Sequence, residues 1–283
     1  MTHTSTNCFQ EELWVFLFEG LKKKALGIDS EIKAREVYDS KGEAVLQEMI
    51  LKKKESEIHN EEKAREVYES KGEAVLHLTE LEKSYIKDFE YGKALLCWHI
   101  ATEICYNVDE DENDEKRKWS KIISDYLMYL QIHEPKLTAA VAGITHERYD
   151  ETCLEVKVSA NKLGAENLKG FCKKALEVRD EKNGEGGHNR EHAEERNHDA
   201  ETGGRVLHRT SVFHDACNLA RILRNHENKW EIIVGVWAEM LSYAAGHCRG
   251  NEHARTVSKG GELLTHVWLL MAHFGITAQW PKN

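Results

Sequence analysis

Proline is almost absent from this chain, occurring only as Pro135 and Pro281. Because proline removes a backbone donor and clashes with the preceding helical turn, its scarcity leaves long stretches on either side of Pro135 free to run as helix. A dense basic stripe is also missing. The net charge is −10, and residues 205 to 283 hold nine Lys/Arg against six Asp/Glu, which leaves −13 for residues 1 to 204. That distribution argues against a nucleic-acid partner, whose backbone is held by clustered positive charge. Nor is there an apolar run of the roughly 20 residues that a membrane span requires. Residues 230 to 246 are interrupted by Glu231 and Glu239, and the run from Leu263 by His266 and His273. No transmembrane span is expected. The seven cysteines (8, 97, 105, 153, 172, 217 and 248) form no CxxC pair and no even framework, and the chain starts without a cleavable signal. They read as reduced thiols of a cytoplasmic protein, with membrane association as the alternative.

What is present is apolar content in helical register. With 283 residues and 41% hydrophobic side chains beside 31% charged ones, the chain has enough apolar surface to bury a core. The expected fold class is all-α, an irregular helical bundle with a charged, duplicated helical extension at the N-terminal side. The duplication is explicit: "KAREVYDSKGEAVL" at 33 to 46 returns as "KAREVYESKGEAVL" at 63 to 76, differing only at Asp39 against Glu69. Two copies fall short of the three or so units that a stacked repeat fold needs. In one continuous helix an offset of 30 residues would also turn the second copy by about 120°. Val37 and Tyr38 would then not share a face with Val67 and Tyr68. Either the chain turns near His59 and Asn60, or one copy packs while the other projects into water. Gly42 and Gly72 are places where a helix can break.

Four parts follow: residues 1 to 61 as the extension with the first repeat copy, 62 to 179 as a first helical part, 180 to 204 as a linker, and 205 to 283 as a C-terminal helical core. In the first helical part, Leu95, Trp98, Ala101, Ile104 and Cys105 recur at helical spacing, residues 119 to 132 are amphipathic and end near Pro135, and residues 146 to 180 read as one long helix. Its apolar face is Leu154, Val158, Leu163, Leu168, Phe171, Cys172 and Leu176. The linker has no large apolar residue and many charges, so it is expected to stay unfolded. Beyond it, Phe213, Leu219, Ala220 and Leu223 form one face, and Trp230, Ile233, Val234, Trp237, Leu241 and Ala245 another. Gly250 and Asn251 punctuate the chain, and Gly260 and Gly261 precede a last helix so apolar that it is expected at the centre of the bundle.

The segments "CWHIATEICY" (97 to 106), "KIISDYLMYLQIHEPKL" (121 to 137), "DACNLARIL" (215 to 223) and "WEIIVGVWAEMLSYAAGHCRGNEHARTVSKGGELLTHVWLLMAHFG" (230 to 275) carry a resemblance. Together they resemble the plant family catalogued as domain of unknown function 594, over roughly residues 62 to 275. Members of that family usually carry this domain behind a multi-spanning membrane region, the domain of unknown function 4220. Here only "FQEELWVFLFEGLKKKA" (9 to 25) is similar to the segment that joins the two. The resemblance implies a fold and an origin on the cytosolic side of a membrane-protein family, and no biochemical activity.

Several groups of residues invite a chemical reading. His247, Cys248 and His253 are of the types that bind zinc. Their spacing matches no finger, and residues 247 and 248 point about 100° apart on a helix. The adopted reading is a helix end, with His247 and Arg249 near the last carbonyls. Glu262, His266 and His273 share one helical stripe and could perform acid and base work. The plainer reading is a polar stripe in a packed helix, bonded to partners such as Glu239 and Ser242. "HRTSVFHDA" (208 to 216) resembles the His-Asp dyad of metal phosphohydrolases but lacks further ligands in register, so it reads as a helix start. His188, His192 and His198 fall in the linker. "SKGGE" (258 to 262) reads as a tight turn with Ser258 near a cap, since it lacks a phosphate-loop pattern.

No catalytic, cofactor-binding or metal residue is therefore assigned, no cofactor is expected, and the chain reads as not an enzyme. The expected function is a noncatalytic helical interaction or regulatory domain with an unknown protein partner. Two alternatives stand beside it. One is a metal-binding or hydrolytic enzyme using the His/Cys cluster. The other is a peripheral membrane protein anchored through residues 9 to 25, where Phe9, Leu13, Trp14, Phe16, Leu17, Phe18 and Leu21 are followed by Lys22 to Lys24.

Overall fold

The computed structural model describes residues 11–26, 42, 89–110, 114–141, 146–177, 211–274 and 276. Among the described residues all regular structure is helical: α1 (Glu11–Leu26), α2 (Tyr91–Val108), α3 (Glu115–His133), α4 (Pro135–Thr138), α5 (His146–Lys162), α6 (Leu168–Glu177), α7 (Val212–Arg224), α8 (Lys229–His247), α9 (Gly250–Val257) and α10 (Leu263–His273). Both repeat copies and the linker, with His188, His192 and His198, lie outside these residues, except for Gly42. That glycine has φ 116°, in the region that L-residues avoid and that interrupts a helix.

The core forms around α2 and α8. Helix α2 packs against α3, α6 and α7, and α8 against α3 and α10. The two central helices meet through side chains: Tyr91 Oη donates to the Met240 carbonyl at 3.0 Å, and the indole Nε1 of buried Trp237 donates to Thr102 Oγ1 at 3.0 Å. Each bond satisfies a polar atom that would otherwise be stranded among Leu95, Trp98, Ile233 and Leu241, all buried in the same cluster. Burying one such large side chain stabilises the fold by about 1.5–3 kcal/mol.

Local signals start and stop the helices. Asp114 caps α3 by accepting from the backbone N–H groups of Lys116 and Arg117 at 2.8 and 3.3 Å, and Pro135 opens α4 at a position where its missing donor costs nothing. Ser211 caps α7 by accepting from His214 N at 3.2 Å, while its own hydroxyl donates to Glu155 Oε2 on α5 at 2.7 Å.

Three expectations about helix boundaries and placement are corrected. Residues 146 to 180 do not form one helix. Gly164 takes φ 55°, Ala165 N donates back to the Ala160 carbonyl at 3.3 Å, and Asn167 Oδ1 accepts from Gly170 N at 2.7 Å. A glycine stop followed at once by an asparagine start splits the stretch into α5 and α6. Its proposed apolar face is split as well: Phe171, Cys172 and Leu176 are buried, while Leu154, Val158 and Leu168 are exposed. Gly250 and Asn251 open α9 and do not merely punctuate the chain. The last helix is not central either. Leu263, Leu264, Val267 and Met271 of α10 face inward against α8, but Leu269 is 47% exposed on the outer side, where α1 covers part of the helix.

Candidate functional site

The C-terminal third gathers the His and Cys residues that the sequence singles out, and engages His247, His253 and His266 in hydrogen bonds that hold the helices. His253, on the short helix α9, is buried. Its Nε2–H donates to the Ala245 carbonyl at 3.0 Å, its Nδ1 lies 3.0 Å from Thr265 Oγ1 on α10, and its ring stacks on Trp268 with centroids 4.6 Å apart. Thr256 extends the chain, meeting Thr265 at 2.7 Å and donating to the His253 carbonyl at 2.8 Å. Burial holds the His253 imidazole below its ordinary pKa, outweighing the bond to Ala245. The ring is thus a neutral strut joining α8, α9 and α10, with both nitrogens engaged.

His247 and Cys248 do not converge with it on a common point. His247 Nδ1–H donates to the Tyr243 carbonyl at 2.8 Å and the ring lies over Tyr243, the helix-end role its position suggested. Cys248 follows as the C-cap of α8, and burial pushes its thiol up to about 11.

The stripe of Glu262, His266 and His273 is likewise distributed. Glu262 is the N-cap of α10 and accepts from Tyr126 Oη at 3.2 Å; the same tyrosine oxygen accepts from Leu264 N at 3.0 Å. A side chain from α3 thereby caps α10, and the Glu262 carboxylate sits favourably at a helix N-terminus. His266 donates from Nδ1 to the Glu262 carbonyl at 2.8 Å and meets the Trp14 ring of α1 edge-on. His273 is exposed beside Phe274. Ser242, an expected partner of the stripe, instead donates to Ala238 on its own helix at 2.8 Å.

The turn before α10 needs both its glycines. Gly260 and Gly261 have φ 105° and 85°, and a Cβ on Gly261 would lie 2.6 Å from His266 Cε1. Ser258 belongs to the end of α9, as its C-cap.

Helices α8 to α10, tied by His253 and entered from the end of α7, form one continuous unit. Residues 223–276 match the sequence model of DUF594, a protein family of unknown function. No curated protein and no solved structure matches the chain. The DUF594 segment thus contains the His/Cys cluster and the Glu262 stripe, and its buried polar residues hold its helices to one another.

Outside the DUF594 segment the His-Asp pair at 214 and 215 points two ways: His214 Nε2 meets Asn218 Nδ2 at 3.0 Å, and Asp215 pairs with Lys93 of α2 at 3.1 Å. The other buried thiols sit along α2, α6 and α7. Burial raises Cys105 and Cys172 to about 12 and Cys217 to about 11, and lifts Cys97 as well, which keeps them protonated and unreactive.

One polar cluster was not singled out in the sequence. His99 and Glu103, a turn apart on α2, face Lys121 and Asp125, a turn apart on α3, and a ring nitrogen and one oxygen from each acid lie within 4.8 Å of one another. Lys121 Nζ is 2.5 Å from Glu103 Oε1 and 2.5 and 2.6 Å from the two Asp125 oxygens. His99 Nδ1 lies 2.8 Å from Ser124 Oγ. Burial holds His99 below its ordinary pKa. It also pulls Lys121 down, but Glu103 and Asp125 outweigh it and hold the ammonium above its usual value. The two i, i+4 pairs are visible in the sequence, but nothing there says that they face each other.

The remaining distinctive feature is a surface. Helix α1 buries Leu13, Leu17 and Leu21 and turns Val15 and Phe18 outward, 56% and 37% exposed. With Trp14, Glu19, His266, Leu269 and Leu270 they line an apolar groove between α1 and α10. Phe18 touches Phe274 across it, with centroids 5.4 Å apart, and Lys22 stands near the Phe18 ring. Among the described residues no helix is long and apolar enough to cross a membrane.

Proposed function

We propose that the chain is a noncatalytic helical interaction domain, related to the cytosolic C-terminal part of a plant membrane-protein family, and that it binds a protein partner through the groove between α1 and α10. One observation carries this reading: Val15, Phe18 and Leu269 expose apolar surface side by side on two different helices, whereas His247, His253 and His266 are engaged in bonds between or within helices. Contiguous exposed apolar side chains mark contact surfaces more often than single ones do. The charged repeat at 33 to 46 and 63 to 76 would supply an added contact surface.

The test is photocrosslinking from single positions. A photoreactive side chain at Phe18 or Leu269 is expected to give a discrete adduct with a cellular protein, and the same group at exposed Tyr129 on α3 is not. Equal adducts from all three positions, or none from the first two, would refute the groove.

A peripheral membrane contact is the second reading, favoured by the placement of Lys22 beside Phe18, where apolar and cationic side chains together suit an anionic lipid surface. It predicts that anionic vesicles sediment the full chain but not the Val15→Asp, Phe18→Asp variant. Substitution is preferable to deletion of α1, because Leu13, Leu17 and Leu21 belong to the core.

A further inference from the structure

The cluster between α2 and α3 already holds a cation, the chain's own. Two carboxylates, Glu103 and Asp125, converge on one ammonium, so their combined charge is only half offset. Beside them His99 brings an imidazole, a ligand type with high affinity for first-row divalent ions. Ser124 Oγ lies 2.8 Å from its Nδ1 and fixes the ring plane.

We propose that His99, Glu103 and Asp125 form a site for a first-row divalent cation, best matched by Zn²⁺, in which the Lys121 ammonium and the metal exclude each other. The donor set is one imidazole nitrogen and two carboxylate oxygens, leaving the remaining coordination positions to water. Ligand atoms now within 4.8 Å must draw in to reach zinc distances of about 2.0–2.2 Å, which small side-chain rotations on adjacent helices accomplish. Access is open, because the side chains of Lys121 and Glu103 are each 25% exposed and that of Asp125 is 44% exposed, so the ammonium can swing into water as the metal enters. Exchange would couple metal binding to the α2–α3 seam and free a lysine at the surface.

The experiment is titration of the chelator-stripped full-length chain with Co²⁺, whose visible absorption reports coordination, followed by displacement with Zn²⁺. Circular dichroism and thermal melts check that each variant is folded. One saturating equivalent is expected for the unaltered chain. Removing the competing ammonium in Lys121→Met should tighten binding roughly tenfold or more. Asp125→Asn, at an exposed position, and His99→Gln should each weaken it by about tenfold or more. Absence of saturable binding in both the unaltered chain and Lys121→Met would overturn the proposal. So would binding that His99→Gln and Asp125→Asn leave unchanged, which would place the ion on other histidines.

Discussion

Helices α8 and α5 are nearly equal in length, 19 and 17 residues, and both carry apolar residues at helical spacing, yet their fates are opposite. Helix α8 buries twelve side chains, among them Trp230, Trp237 and Met240, because α3 and α10 flank it. Among the described residues helix α5 packs chiefly on α7 and leaves Leu154 and Val158 exposed. Periodicity makes a helix amphipathic; burial depends on how many neighbours reach it.

Four substitutions sharpen or break that contrast. Trp237→Ala should destabilise by about 3–5 kcal/mol in urea denaturation, since it removes a fully buried indole and strands Thr102. His253→Ala comes next, at about 2–4 kcal/mol, because it leaves the Ala245 carbonyl and the Thr256–Thr265 pair in a buried space without their partner.

The same histidine sets a pH dependence. Its folded pKa is lowered by burial, so the unfolded chain binds the proton more readily, and the contribution is fully present above the ordinary value of 6.5. Stability should fall as pH drops from there through the folded pKa, and His253→Ala should flatten that slope. An unchanged slope would remove His253 as the strut.

Gly261→Ala should cost about 1–3 kcal/mol, since alanine is strained at φ 85° and its Cβ displaces His266 from Trp14. Loosened packing of α1 would show as faster proteolysis within residues 11–26. At the other extreme, Leu154→Ala should change stability by less than about 0.5 kcal/mol. A loss above about 2 kcal/mol would mean that α5 is covered in the folded chain, and the contrast with α8 would fail.

Much of the fold is legible in the sequence. The spacing of Leu95, Trp98, Ala101 and Ile104, and of Trp230, Ile233, Trp237 and Leu241, marks two helices that prove central, and Gly260 and Gly261 mark the turn before the last one. The break at Gly164 and Asn167 is also written there, as a glycine stop and an asparagine cap, but the apolar run around it reads as continuous. The polar residues are legible only as types. His253 shows no sign of its bond to Ala245, eight residues back, and Tyr126 lies 136 residues from the Glu262 to which it donates. The cluster of His99, Glu103, Lys121 and Asp125 has the same character, since each pair is local but the facing of α2 and α3 is not.

By itself the sequence determines that this chain is helical, where most of its helices run, and which segment resembles DUF594, because propensity, periodicity and turn chemistry are local properties. Tertiary structure alone decides that α10 lies at the flank and not at the centre, that α1 turns Val15 and Phe18 outward, and that Lys121 stands between two acids. Those outcomes depend on which helices pack side by side, and the contacts that choose them join residues far apart in the chain.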